Sequence, residues 1–200
     1  NPNGACAATT AYFGINAFAT IADGLMHVTN AGTVCIAKGN YAEAVNITNN
    51  VQMIGDGNIV GDTVLTGGIT VAAGGTSTSP LLISSLRVND PTSGVSGVLV
   101  KAVSYVDFQN LALVGNGNSG VNLSMDADHI NVSDSLIDGN VTGLRTSSTT
   151  HVSDVTITNT TFSNNSQVGL ILFGGSTANG SATNWTISNS QFRSNNNDDS

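Results

Sequence analysis

Four stretches of this chain carry one pattern. Residues 106–116 read VDFQNLALVGN, 130–140 read INVSDSLIDGN, 155–165 read VTITNTTFSNN and 185–195 read WTISNSQFRSN, at spacings of 24, 25 and 30 residues. An earlier copy, Leu81–Asp90, lies 25 residues before the first of them. Aligned, the copies give one apolar column of Phe108, Val132, Ile157 and Ile187, and a second of Leu113, Ile137, Phe162 and Phe192. A polar column of Asn116, Asn140, Asn165 and Asn195 follows. A unit this short cannot bury its own apolar face, whereas stacked units bury a continuous core. Same-position residues then lie about 4.8 Å apart, close enough for asparagine side chains to bond in ladders. An antiparallel sandwich would not keep every column in register. The expected fold is therefore all-β: a right-handed parallel β-helix with coils of about 24 residues. The stretch Phe173–Ser181 accounts for the longer last spacing as a loop at one corner.

Ahead of the repeats the period is helical. In residues 16–28, Phe18, Ile21, Ala22, Leu25 and Met26 form one apolar stripe, with Asn16 placed as N-cap and Gly24 on the opposite side. This predicts a short α-helix plugging the open N-terminal end of the solenoid. The chain then divides into a tail and cap helix, 1–32, and the β-helix, 33–200, within a single domain.

Composition narrows the partners. Charged residues make up 9% and the net charge is −8, which makes phosphate backbones and anionic membrane surfaces poor partners, so no nucleic acid is expected. No stretch approaches the roughly 18–20 apolar residues of a membrane-spanning helix, so no membrane insertion is expected. The two cysteines, Cys6 and Cys35, are either buried thiols or one disulfide; with few lysines and many asparagines and threonines, export and a Cys6–Cys35 bond are expected. Asn-x-Ser/Thr sequons stand at Asn46, Asn122, Asn131, Asn140, Asn159, Asn164, Asn179 and Asn184, candidates for glycosylation in a composition that also makes sequons by accident.

The stretch from Phe18 to Gly68 carries Phe18-Ala-Thr-Ile21, Val34-Cys-Ile-Ala-Lys-Gly-Asn-Tyr-Ala-Glu43, Met53-Ile-Gly-Asp-Gly57 and Thr63-Val-Leu-Thr-Gly67. It resembles the start of pectinesterases and related pectin-lyase-like right-handed β-helices, and covers about a quarter of the chain. The resemblance implies a cap helix and first coils, and it is shared with noncatalytic surface proteins. Pectinesterase chemistry would require two carboxylates and a glutamine-lined oxyanion site on adjacent coils. The corresponding segments here read Asn140-Val-Thr-Gly-Leu-Arg145 and Thr158-Asn-Thr-Thr-Phe162, without either carboxylate. Val106-Asp-Phe-Gln109 lies two coils too early, and its Phe108 belongs to a core column.

Asp126, Asp128, His129, Asp134, Asp138 and Asp154 come from neighbouring coils. Were they to converge, Asp126, Asp128 and Asp154 could hold Ca²⁺, a hard cation that takes six to eight oxygens, or form an acid/base pair. The competing reading places them at turns: Asp134 shares a column with Asn110 and Asn159. Arg145 either meets a carboxylate ligand or pairs with a nearby Asp. His27, His129 and His151 have no metal-binding spacing. Trp185 and Tyr105 have the chemistry to stack on sugars, but Trp185 sits where other copies place core residues.

No catalytic set emerges, and no cofactor is expected beyond calcium. The sequence points to a secreted or cell-surface structural β-helix: a surface-layer, sheath, filament or adhesin module. Its last coil has no successor, so Trp185, Ile187 and Phe192 are expected to be half covered and to mediate self-association. The alternatives are a polysaccharide-active lyase, glycosidase or esterase, and a module that binds extracellular glycans.

Overall fold

The computed structural model describes residues 14–15, 17–173 and 180–196. Each repeat forms three short strands, and every third strand stacks on its predecessor. The first sheet stacks β1 (Gly32–Ile36), β4 (Val51–Gly55), β7 (Leu81–Ser84), β10 (Val103–Gln109), β13 (Ala127–Ser133), β16 (His151–Thr158) and β19 (Ser181–Ser188). The second stacks β2 (Gly39–Tyr41), β5 (Thr63–Leu65), β8 (Arg87–Val88), β11 (Ala112–Val114), β14 (Leu136–Asp138), β17 (Thr161–Ser163) and β20 (Gln191–Arg193). The third stacks β3 (Val45–Ile47), β6 (Ile69–Val71), β9 (Val98–Val100), β12 (Ser119–Leu123), β15 (Thr142–Thr146) and β18 (Val168–Ile171). The pairs between successive coils are parallel, which makes the chain a parallel β-helix.

The register reproduces the columns of the sequence. Phe108 pairs with Val132, Val132 with Ile157, and Ile157 with Ile187. Leu113, Ile137, Phe162 and Phe192 follow one another in the second sheet. Inside the coils Phe108, Val132, Ile137, Ile157 and Phe162 are buried, part of one apolar core running the length of the solenoid. Between the first and second sheets the chain turns at Asn110, Asp134, Asn159 and Asn189, all left-handed with φ of 52°, 52°, 49° and 50°. Asn and Asp tolerate that conformation because their short polar side chains bond locally.

The asparagine column forms the expected ladder at the second corner. Asn116 Nδ2 donates to Asn140 Oδ1 at 2.8 Å, Asn140 Nδ2 to Asn165 Oδ1 at 3.1 Å, and Asn165 Nδ2 to Asn195 Oδ1 at 2.8 Å. The backbone amides of Asn116, Asn140 and Asn165 donate to the same oxygens. Each Nδ2 also reaches back to a carbonyl of the preceding coil, Asn140 to Leu113 at 3.0 Å. Beside the ladder coils approach so closely that a Cβ on Gly143 would collide with the carbonyl oxygen of Gly169.

The helix is shorter than the sequence suggests. α1 spans Ile21–His27, with Thr20 as N-cap and its Oγ1 accepting the Asp23 amide at 3.1 Å. Asn16, the expected cap, lies outside the described residues. Ile21 and Leu25 face the core, but Met26 is 72% exposed and Ala22 is exposed, so the apolar stripe is narrower than expected. Gly24, expected on the far side, is buried: a Cβ there would lie 3.3 Å from Val34 Cγ1. Its missing side chain lets the helix lie close on β1.

Candidate functional site

The outer face of the first sheet carries a feature absent from the other two. In β10, β13, β16 and β19 one residue interrupts the strand in the left-handed region: Tyr105 (φ 58°), His129 (52°), Asp154 (55°) and Asn184 (56°). The pairing steps over them, from Ser104↔Asp128 to Val106↔Ile130. Alternation fails locally: Val103 and Val106 are both buried, and Ser104 and Tyr105 between them both stay outside the core. Stacking four such interruptions aligns their side chains along the solenoid axis.

The result is an open groove of about 530 Å³. Its floor runs along Tyr105, His129, Asp154 and Asn184, with Asp107, Asn131, Thr156 and Thr186 as the next outward column. The tight turn closed by Thr76 and Ser79 brings Thr76 and Pro80 to its edge. The Tyr105 and His129 rings stack with centroids 4.3 Å apart and planes 26° from parallel. Tyrosine is a costly choice in the left-handed region, where roughly 1–2 kcal/mol opposes most side chains. Tyr105 shares the conformation of the residues stacked above it, His129, Asp154 and Asn184, against its own preference.

The acidic residues of this face are engaged with protein donors. Asp107 Oδ1 accepts Asn131 Nδ2 at 2.7 Å, across one coil. Asp128 accepts the Ser104 hydroxyl at 2.8 Å and lies 2.6 Å from His129 Nδ1. Asp126 accepts the His151 amide at 2.7 Å, which holds its carboxyl below the usual range. The Asp154 carboxyl is likewise lowered, first by the Ser153 hydroxyl and then by Asn184 Nδ2. A general acid at neutral pH needs the opposite shift. Asp134 and Asp138 serve turns, accepting from Asn159 at 3.1 Å and from Ser163 and Asn164 at 2.7 Å each.

Asp126, Asp128 and Asp154, the calcium candidates, are therefore distributed among separate donors. Asp126 and Asp128 share a second open groove of about 600 Å³ with Ser104 and His151, while Asp154 lines the first. Among the described residues no three His, Cys, Asp or Glu side chains are placed to share a metal ion.

The sequons divide by environment. Asn46, Asn131, Asn159, Asn164 and Asn184 are exposed and Asn122 is half-buried. Asn140 is 1% exposed, and its bonds in the ladder leave no room for a glycan on the folded chain. Its sequon arises from the composition. Asn131, Asn159, Asn164 and Asn184 each tie an Asp of the preceding coil. Asn179 and Cys6 lie outside the described residues, and Cys35 occupies an exposed position on β1.

At the last coil Trp185 packs against the core, while Ile187 is 41% and Phe192 45% exposed. Their in-register neighbours Ile157 and Phe162 are fully buried. Phe192 stacks on Phe162 at 4.8 Å, 5° from parallel.

The left-handed column was missed in the sequence, although His129, Asp154 and Asn184 recur at the coil spacing and favour that conformation. Among the described residues no helix is long and apolar enough to cross a membrane. Comparison with family models, with curated proteins and with solved structures finds no match to the chain.

Proposed function

We propose that this chain is a noncatalytic, extracellular β-helix module of the pectin-lyase-like kind, serving in a surface layer, sheath, filament or adhesin. The observation that supports it is the use made of the acidic side chains. Asp107, Asp134, Asp138 and Asp154 each accept from a side chain one coil further on. Their chemistry is spent on joining coils. A Cys6–Cys35 bond would add a further fastening beside the first coil, consistent with export.

In this reading the module self-associates through the edge formed by β18, β19 and β20, where Trp185, Ile187 and Phe192 are incompletely covered. Unpaired strand edges beside apolar surface favour addition of another chain. The added copy meets this edge with its N-terminal end, around the cap helix, a head-to-tail contact that does not close and so extends into a filament. Sedimentation of the purified chain tests this. Concentration-dependent association into species larger than a dimer that Phe192→Glu abolishes supports it, and a monomer throughout the micromolar range rejects it.

A second reading rests on the Tyr105–His129 stack in the open groove: an aromatic platform beside Asn and Thr side chains suits a sugar chain lying along the axis. Binding of extracellular glycans that Tyr105→Ala abolishes would favour it.

A further inference from the structure

The two ends of the solenoid carry single charges of opposite sign. Arg193 of β20 is the only Asp, Glu, Lys or Arg between Asp154 and Asp198, and Asp23 of α1 is the only one before Lys38. Arg193 is exposed, and among the described residues the ion pairs involve Lys38, His129 and His151, not its guanidinium. Two residues on, Asn195 ends the ladder. Its Oδ1 accepts the Asn165 amide and Nδ2, and its own Nδ2 donates back to the Phe162 carbonyl at 3.0 Å. The backbone amide, which in Asn116, Asn140 and Asn165 donates to the following rung, has no further rung to meet among the described residues. At the other end α1 turns Ile21, Gly24 and Leu25 inward and leaves Ala22 and Met26 exposed. Met26 lies one turn from Asp23, on the same side of the helix. The Asp23 amide is taken by Thr20, but its carboxylate enters no ion pair among the described residues.

A guanidinium and an unused amide at one corner call for an anion, and a carboxylate meets both. Joining like ends would set Arg193 against Arg193 or Asp23 against Asp23, and would bring the Asn195 amide no acceptor. Joined head to tail, each group meets its complement, and the exposed apolar residues of the two ends meet as well. We infer that the joint between copies is keyed by charge: Arg193 and the Asn195 amide of one copy receive the Asp23 carboxylate of the next, while Phe192 and Ile187 pack on Met26 and Ala22 beside it. The inference rests on the self-association proposed above, and adds the face of the second copy and the chemistry that give the joint its direction.

Sedimentation velocity on the full chain, with Arg193→Asp and Asp23→Arg measured alone and mixed in equal amounts, tests this. Either reversal alone puts like charges at every joint and should weaken association by roughly tenfold or more. The mixture sets opposite charges at every joint between the two variants and should recover the association of the unaltered chain. An unaltered chain that stays monomeric overturns the self-association and this joint together. Association of either reversal at full strength leaves self-association standing and overturns the joint, as does a mixture no better than its parts. Should a reversal fail to fold, the neutral variants Asp23→Asn and Arg193→Gln decide. A double variant no weaker than either single one supports the pair, and additive losses overturn it.

Discussion

The Glu43 carboxylate, in the turn between β2 and β3, accepts the backbone amide of Ile21 at 2.9 Å, and its second oxygen accepts that of Ala22 at 3.0 Å. The only glutamate of the chain thus satisfies two amides in the first turn of α1 that the helix itself cannot. Replacing it by alanine should cost about 1 kcal/mol, the usual value of a lost N-terminal cap. Hydrogen exchange should quicken in residues 21–28 and stay unchanged in the later coils. Uniform acceleration along the chain would mean that the plug and the coils unfold as one unit.

Asn140 should matter nearly as much as a core aromatic. From the sequence, Asn140→Ala is expected to cost near 1 kcal/mol, the worth of one hydrogen-bond set. The structure raises this, because truncation strands the Leu113 carbonyl and the Asn116 amide in a buried corner. At about 1–3 kcal/mol for each stranded group, the cost approaches the roughly 3–5 kcal/mol expected for Phe162→Ala. Urea denaturation of both variants measures this; an Asn140→Ala loss under half that of Phe162→Ala would show that the corner relaxes.

Asp126 and Asp154 have folded carboxyls below their usual range. A lowered folded value means that the unfolded chain binds protons first. Their stabilisation is therefore present above the ordinary Asp value of about 3.9, and is lost as pH falls through the folded values. Melting temperature should be insensitive to these two groups between pH 5 and 8, within the ordinary range (about 5–8) of maximal stability. It should fall towards pH 3, less steeply in Asp154→Asn. Parallel melts at pH 6 and pH 3 give the comparison.

The proposed Cys6–Cys35 bond predicts that the nonreduced protein carries no alkylatable thiol and gains two on reduction. Intact-mass measurement after alkylation, with and without reductant, reads this directly. Two modified thiols before reduction would remove the bond.

The parts of the fold that repeat in chemistry were legible. Phe108, Val132 and Ile157 share residue class, spacing and burial, so one alignment places them all. The ladder was legible for the same reason. The interruptions at Tyr105, His129, Asp154 and Asn184 repeat in conformation but not in residue type, so no column of like side chains announced the groove. The helix start was misplaced because Asn16 is a good cap by type, while the Thr20–Asp23 pair that forms the cap carries the same signal four residues later. Gly24 was set on the wrong side because periodicity counts apolar side chains, and its value lies in having none. That Arg145 of β15 falls beside Asn122 of β12, and in no ion pair among the described residues, depends on which coils stack, and only the register supplies that.

The asparagine ladder has a direction, and that ties the register of each coil to those on either side of it. Each rung donates forward to the side-chain oxygen of the next and leans back on a carbonyl of the coil before it. A rung such as Asn140 therefore has one donor met by the coil before it and two, its backbone amide and its Nδ2, met by the rung after it. With α1 and Glu43 shutting the first coil, each rung fixes the corner against which the next coil is registered. A coil laid down one residue out of step leaves two donors stranded in the corner and gives the next coil nothing to grip. The ladder thus works as a gauge, holding each turn of the solenoid in step with the one beneath it.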